Sequence, residues 1–221
     1  MLYLRKSLSL VELIFAIAII SIVVIGSLSF INKSYQAYNH SKDSIILELE
    51  LKSTLKYIQN KLQYSSDLKY SQNSIEWNEI DFKGFRTKQW SGYIDINQST
   101  PTQIKSILSN FDDTTSSKLI KIDNKNYQIQ SNTKDTITLK NSLDSNISQT
   151  YILLNAHYKI ELKDSILYLD KEDFNSLKTS QSILLKNVSK FNITKNQNIL
   201  DIQICIYQNQ ICAFRSILIN E

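Results

Sequence analysis

Glycine and proline are scarce in this chain, with three glycines and one proline in 221 residues. None of them lies between Lys33 and Ser66, so nothing in that stretch breaks a helix. Charge is absent from Leu13 to Asn32, and these twenty residues would form about 30 Å of helix, the thickness of a hydrocarbon core. The missing helix breakers and the missing charge together predict one long N-terminal helix whose first half spans a membrane.

Clusters of basic residues are also lacking. The formal net charge is +4, and Arg5 and Lys6 contribute two of the 25 basic residues before the apolar segment. The other lysines and arginines are interspersed with 21 acidic residues. A phosphate-binding surface needs basic side chains gathered on one face, so we expect no nucleic acid as a direct ligand.

Patterns of catalytic and metal-binding residues are lacking as well. His40 falls in the predicted helix and His157 in a predicted strand, and neither has neighbours in sequence that complete a triad or a metal site. The acidic residues Asp112 and Asp113, and Asp170 and Asp173, could hold Ca²⁺, but they do not have the spacing of an EF-hand loop, and solvated loop residues are the favoured interpretation. We therefore expect no enzyme, no metal and no cofactor.

Three aromatic residues, Trp77, Trp90 and Tyr93, lie close together in the sequence. Their side chains would suit a surface that binds a sugar or a secreted substrate. They would equally suit the core of a sheet, where aromatic residues of strands are usually found.

Beyond Asp67 the chain changes to short segments in which apolar and polar residues alternate. These segments are rich in Ile, Tyr and Thr and are separated by Asn, Asp, Ser and Lys, which is typical of antiparallel strands. The predicted strands are SIEWNEIDF, GYIDIN, SKLIKID, NYQIQS, DTITLK, TYILLNAHYKIEL, SILYLD, KFNITK, ILDIQICIY and ICAFRSILI. Two short helices are predicted among them, near residues 100–111 and 171–179.

The predicted helix is amphipathic in its second half, because aliphatic residues recur there at helical spacing. This apolar stripe, predicted to face the chain's own sheet, consists of Leu47, Leu51, Leu55, Ile58 and Leu62. The opposite face is predicted to be solvated or to serve partners, and it carries Glu48, Lys52, Lys56 and Lys61.

The chain has two cysteines, Cys205 and Cys212. Apolar and polar residues alternate on both sides of Gln208 and Asn209, which predicts a hairpin with the cysteines opposite each other. In an oxidising compartment this register favours a disulfide, whereas in a reducing one the two residues would be packed thiols.

A carboxylate, Glu12, stands at the entrance of the apolar segment. A charge in lipid costs a few kcal/mol, less near the interface than at the centre, so Glu12 calls for a partner. A cleaved signal peptide has an apolar region of only about 7–15 residues, and an uncleaved signal anchor explains the length of the segment but not Glu12. Arg5 and Lys6 predict that this end of the chain lies in the cytoplasm and the rest on the other side.

The segment KSLSLVELIFAIAII resembles the processing site of type IV pilins and type II secretion pseudopilins. Ser7 stands just before the cut, Leu8 at the first mature position and Glu12 at the fifth. The resemblance implies cleavage by a prepilin peptidase, methylation of the Leu8 amine, and pairing of Glu12 with the amine of a neighbouring subunit. Ser7 and Leu8 differ from the usual family residues, which are Gly before the cut and Phe after it.

The C-terminal half is similar to the J-type minor pseudopilin of type II secretion and to the minor pilin PilW. The similarity lies in Leu167-Tyr168-Leu169, where the usual Arg after the Tyr is replaced by Leu169, and in the segment LLKNVSKF at 184–191. It implies a non-enzymatic minor pseudopilin of a type II secretion system, at or near the tip of a periplasmic pseudopilus, that helps initiate assembly and protein export. The alternatives are a minor pilin of a type IV pilus or DNA-uptake machine and, less favoured, a signal-anchored extracytoplasmic enzyme or binding protein.

The expected fold is therefore α+β and pilin-like. It comprises a leader (1–7), the membrane half of the helix (8–30), its amphipathic half (31–66) and a β-rich domain (67–221). The implied partners are the prepilin peptidase, the I-type and K-type minor subunits, the major pseudopilin and the inner-membrane assembly platform. The implied location is the bacterial inner membrane, crossed once, with the C-terminal domain in the periplasm.

Overall fold

The computed structural model describes residues 10–81, 91–107, 118–133, 135–144, 149–206 and 211–219. A single helix, α1 (Leu10–Leu62), is followed in these ranges by antiparallel strands, which confirms the α+β class. The strands are β1 (Ser65–Tyr70), β2 (Ser74–Ile80), β3 (Gly92–Ile94), β4 (Gln103–Ile107), β5 (Leu119–Ile122), β6 (Lys125–Asn132), β7 (Thr136–Leu139), β8 (Thr150–Lys163), β9 (Ile166–Asp173), β10 (Thr179–Lys186), β11 (Val188–Asn196), β12 (Ile199–Ile206) and β13 (Cys212–Leu218).

The chain divides between Leu47 and Glu48 into two compact units. The first unit contains the apolar part of α1. The second unit contains the last part of α1 together with all the strands.

Four of the five residues of the apolar stripe lie in the second unit and are buried there. Leu51, Leu55, Ile58 and Leu62 are each at most 3% exposed, as the helical spacing predicts, whereas Leu47 is half-buried. The helix ends at Leu62, before the predicted boundary at residue 66. At this end the Ser65 hydroxyl donates a hydrogen bond to the Leu62 carbonyl (2.8 Å). The chain then enters β1, which pairs with β2.

Six strands of the second unit close into a ring in the order β8, β3, β4, β7, β6, β5 and back to β8. Closure is achieved through β8, whose fourteen residues pair in turn with β2, β3, β5 and β9. Aliphatic side chains fill the interior, and Ile104, Ile120 and Ile137 are fully buried there. A closed ring leaves no sheet edge unpaired, in contrast to an open sheet.

A separate three-stranded sheet, in the order β11, β12, β13, forms the C-terminal part of the second unit. Its buried face carries Phe191, Ile202 and Ile217, and β11 approaches β2 and β8. Asn187 separates β10 from β11 with a φ of 58°, a left-handed conformation that asparagine tolerates.

The ten predicted strands are confirmed, but both short predicted helices are wrong. Residues 103–107 form β4 because they pair with β3 and β7, and residues 108–111 lie outside the described ranges. Near residues 171–179, the Asp173 carboxylate accepts hydrogen bonds from the backbone N–H groups of Asn175 and Ser176 (3.0 and 2.9 Å), which forms a turn between β9 and β10. Three strands, β1, β4 and β10, were not predicted as strands.

Candidate functional site

The first unit presents an exposed apolar helix. Every residue of α1 from 10 to 38 is exposed, including large side chains such as Phe15, Ile22 and Phe30, which are 65, 72 and 73% exposed. In the part of the chain that the structure describes, α1 is the one helix long and apolar enough to cross a membrane. Exposed apolar surface on this scale marks a membrane or protein contact.

Two of the three serines between Leu13 and Asn32 donate hydrogen bonds to the helix itself. The Ser21 hydroxyl donates to the Ile17 carbonyl (2.7 Å) and the Ser27 hydroxyl donates to the Val23 carbonyl (2.8 Å). These bonds remove the need for water at either hydroxyl, since a hydrogen-bonding group in hydrocarbon requires a partner. Ser21 and Ser27 are therefore compatible with a lipid surrounding.

Glu12 lies in the first turn of α1 and is exposed. A carboxylate at this position is favoured by the partial positive charge of the helix N-terminus. Apolar residues follow it along the helix as far as Ile31 without another charge. Ser7 and Leu8, the predicted cleavage and methylation residues, lie outside the described ranges, so their roles stay predictions.

A disulfide joins Cys205 of β12 to Cys212 of β13, with the two Cα atoms 4.1 Å apart. The two residues are directly paired in the register of the strands, as the alternating sequence predicts. Such short Cα distances are typical of antiparallel pairs that do not exchange hydrogen bonds, where side chains come closest. The bridge ties β13 to its neighbour at the start of the strand.

The end of α1 is joined to the sheet by a half-buried charged contact. Lys61 Nζ lies 2.6 Å from Glu79 Oε1 and 4.9 Å from the centre of the Tyr158 ring. Burial by itself disfavours the charged amine, but the hydrogen bond and the negative charge of Glu79 outweigh burial and raise the pKa of Lys61. Lys61 is thus a structural residue, which corrects its predicted place on the solvated face. Sequence reasoning missed this because Glu79 lies eighteen residues away.

The histidine considered as a metal ligand, His157, belongs to a hydrogen-bonded chain of side chains. Its Nδ1 lies 3.0 Å from Asn78 Oδ1, and the Asn78 amide donates to Asp67, which also binds Lys121. His40 lies on α1. Among the described residues, no three His, Cys, Asp or Glu side chains are arranged to hold a metal ion.

The other acidic and aromatic candidates have structural roles or lie outside the described ranges. Trp77 is fully buried and stacks on Tyr158 with ring centres 5.4 Å apart, so it belongs to the core and not to a binding surface. Asp170 accepts a hydrogen bond from the Gln181 amide (2.7 Å). Tyr93 is half-buried in β3, and the other candidates, Trp90, Asp112 and Asp113, are not among the described residues.

Among the described residues, one exposed apolar helix is followed by the antiparallel strands of the second unit, which we call the β domain. No protein-family model, no curated protein and no solved structure matches this chain. Function is therefore inferred from the helix, from Glu12 and from the surfaces of the β domain.

Proposed function

We propose that the chain is a minor pseudopilin of a type II secretion system, a non-enzymatic subunit at or near the tip of a periplasmic pseudopilus. One observation carries the proposal. The exposed apolar helix carries a carboxylate in its first turn and continues unbroken to Leu62, whose side chain packs in the core of the β domain. A pilin-like subunit needs this combination, because the same helix serves as membrane anchor before assembly and as the packing element of the filament afterwards.

The charge of Glu12 supports assembly more than simple anchoring. Near the membrane interface a carboxylate costs up to a few kcal/mol. A neighbour's terminal amine about 4 Å away attracts it by about 4 kcal/mol at an effective dielectric constant of about 20. The two energies are comparable, so pairing offsets the cost, and only a correctly staggered neighbour provides the amine. Glu12 then sets the register of one subunit against the next.

The size of the β domain supports a minor subunit. In the described ranges thirteen strands follow the helix, six of them in a closed ring and three in a further sheet. A major subunit repeats this bulk at every step of a tightly wound filament, whereas a subunit at the tip has neighbours on one side only. The implied partners are the I-type and K-type minor subunits, the major pseudopilin and the assembly platform.

Mass spectrometry of the N-terminus in membranes from the native host tests the proposal. The expected result is a chain that begins with methylated Leu8. An intact N-terminus would instead indicate a signal anchor, and a new N-terminus near residues 27–29 would indicate a secreted protein released by signal peptidase. Either result overturns the proposal.

Replacement of Glu12 tests its role in assembly. Glu12→Gln keeps the shape of the side chain but removes its charge, and it is expected to reduce cross-linking to the other minor subunits about tenfold or more. Glu50→Gln is the matched control, since Glu50 is an exposed residue of the same helix outside the apolar segment. Unchanged cross-linking of the Glu12 variant would contradict the proposal. Cross-linking to subunits of a type IV pilus or DNA-uptake machine would favour the minor-pilin alternative.

A further inference from the structure

The strand β13 forms one edge of the three-stranded sheet. It pairs with β12 over seven consecutive residue pairs, from Cys205–Cys212 to Ile199–Leu218, and the register has no shift. No other strand of the described ranges pairs with β13. One side of its backbone is therefore without a strand partner in the part of the chain that the structure describes.

The other open edges are interrupted, whereas β13 is regular. The pairings of β1 with β2, of β10 with β9 and of β11 with β12 each contain a register shift. Bulges of this kind are a common means by which proteins prevent edge strands from pairing with other chains. The edge of β13 has no such interruption and is suited to accept another strand.

The direction of the backbone groups follows from one hydrogen bond. The Ile206 N–H donates to the Ile211 carbonyl (3.0 Å), so Ile211 and every second residue after it face β12. The N–H and C=O groups of Phe214, Ser216 and Leu218 consequently point away from β12. Phe214 and Leu218 are 63 and 68% exposed, so this edge is also bordered by apolar side chains.

A groove with a volume of 570 Å³ runs between this edge and α1. Five consecutive residues of the chain, 211–215, line it, so residues from both faces of the strand border the groove. Leu49, which is 61% exposed, contributes apolar surface from the helix. An extended segment in this groove would contact the strand on one side and the helix on the other.

The charge of the groove is predominantly positive. Its basic residues are Lys52, Lys56 and Arg215, and its one acidic residue is Glu48, which forms an ion pair with Lys52 (2.5 Å). Lys56 and Arg215 form no ion pair with the described residues. Two cations are thus available to an acidic ligand.

We propose that the edge of β13 binds an extended acidic segment of a partner protein, which adds to the sheet as a further strand. Main-chain hydrogen bonds to Phe214 and Ser216 hold the segment, and its carboxylates pair with Lys56 and Arg215. A second copy of this chain fits less well, because antiparallel pairing of two β13 strands would bring their Arg215 residues together. The inference does not depend on the proposed function, since it uses only contacts of the second unit.

The test uses the full-length protein in detergent and a synthetic peptide of alternating valine and glutamate, seven residues long to match β13. Fluorescence anisotropy measures binding of the labelled peptide. Saturable binding is expected, together with slower hydrogen exchange at the N–H groups of Phe214 and Leu218. A peptide with lysine in place of glutamate is expected not to bind.

Variants separate the strand edge from the charge. Ser216→Pro removes an outward N–H that β12 does not use and is expected to weaken binding about fivefold to tenfold, the effect of one backbone hydrogen bond. Ser216→Ala is the control, because it keeps that N–H while losing the hydroxyl contact to Asp201 (2.7 Å), and its affinity is expected to match the wild type. Lys56→Glu is expected to abolish binding of the acidic peptide.

Three results would overturn the proposal. The first is no saturable binding of the acidic peptide to the wild-type protein. The second is equal affinity for the acidic and the lysine peptides. The third is self-association of the wild-type chain that Ser216→Pro abolishes, which would identify a second copy as the occupant. If Ser216→Pro does not fold, the affinities of the wild type and of Lys56→Glu for the acidic and the lysine peptides still test the proposal.

Discussion

Gly92 of β3 lies against the ring of Tyr151, and the contact leaves no room for a side chain. A Cβ atom added at Gly92 would lie 2.3 Å from the Tyr151 hydroxyl oxygen. Tyr151 is 1% exposed and its hydroxyl is 2.7 Å from the Ser106 hydroxyl, so the ring is not free to move aside. We expect Gly92→Ala to reduce the free energy of unfolding by about 1–3 kcal/mol, as overpacked cores do.

Denaturant unfolding of the protein in detergent measures this effect. Gly26→Ala is the control, since a Cβ at Gly26 meets nothing within 4 Å. A Gly92→Ala variant as stable as the wild type would contradict the close packing at this point of the ring.

Asp67 makes stability depend on pH in the acidic range. Burial opposes its ionisation, but hydrogen bonds from Lys121 and Asn78 outweigh burial and lower the pKa of Asp67 below its ordinary 3.8. A carboxyl with a lowered pKa stabilises the fold above its unfolded pKa, and this stability is lost as the pH falls through the folded pKa. We expect Asp67→Asn to lower the free energy of unfolding by about 2 kcal/mol at neutral pH. The difference in unfolding free energy from the wild type is expected to shrink below pH 3.8.

Unfolding midpoints measured across the acidic range check this prediction. Asn tolerates the left-handed backbone of Asp67, which has a φ of 55°. Asp164→Asn is the matched control, because Asp164 is also left-handed (φ 49°) and forms no ion pair with the described residues. The prediction is wrong if the two variants show the same dependence on pH.

The helix and the strands in which apolar residues recur with a clear period were predicted, and the strands without such a period were not. In α1 the spacing of Leu51, Leu55 and Ile58 identified the buried face. Residues on one face of a helix recur every three or four positions, so a short stretch of sequence reveals them. In β4 the spacing of Ile104 and Ile107 imitates one helical turn, yet Ile104 and Ser106 are buried while Ile107 is 46% exposed. Pairing with β3 and β7 decides the conformation there, and no local signal reports that pairing.

The hairpin of β12 and β13 depends on its disulfide for part of its stability. Cys205 and Cys212 close a short loop, and a bridge of this length is expected to stabilise the protein by about 2 kcal/mol. We expect a reductant to lower the free energy of unfolding of the wild type by that amount. The double variant Cys205→Ala/Cys212→Ala is expected to match the reduced wild type and not to respond to the reductant. Equal stability of the oxidised and reduced wild type would show that the bridge contributes nothing.

For the whole molecule, the sequence indicates a long helix and a β domain but not the order of the strands. The closed ring depends on β8 pairing with β5 through Leu153 and Leu154 and with β3 through Tyr151. These contacts join segments about thirty to sixty residues apart, and alternation of apolar and polar residues does not specify which strand meets which. The groove beside β13 was missed for the same reason, since helix and strand residues that line it are far apart in sequence.

The second unit is expected to fold without the first. The fragment Glu48–Glu221 keeps the buried side chains of Leu51, Leu55, Ile58 and Leu62. A fragment that begins at residue 65 loses these four, and their burial is worth about 6–12 kcal/mol together, which is comparable with the entire stability of a typical domain, about 5–15 kcal/mol. We therefore expect the longer fragment to be soluble without detergent and to unfold cooperatively, and the shorter one to be unfolded or aggregated. Circular dichroism and denaturant unfolding distinguish the two, and a cooperative transition of equal stability in the shorter fragment would show that the helix contributes little to the core.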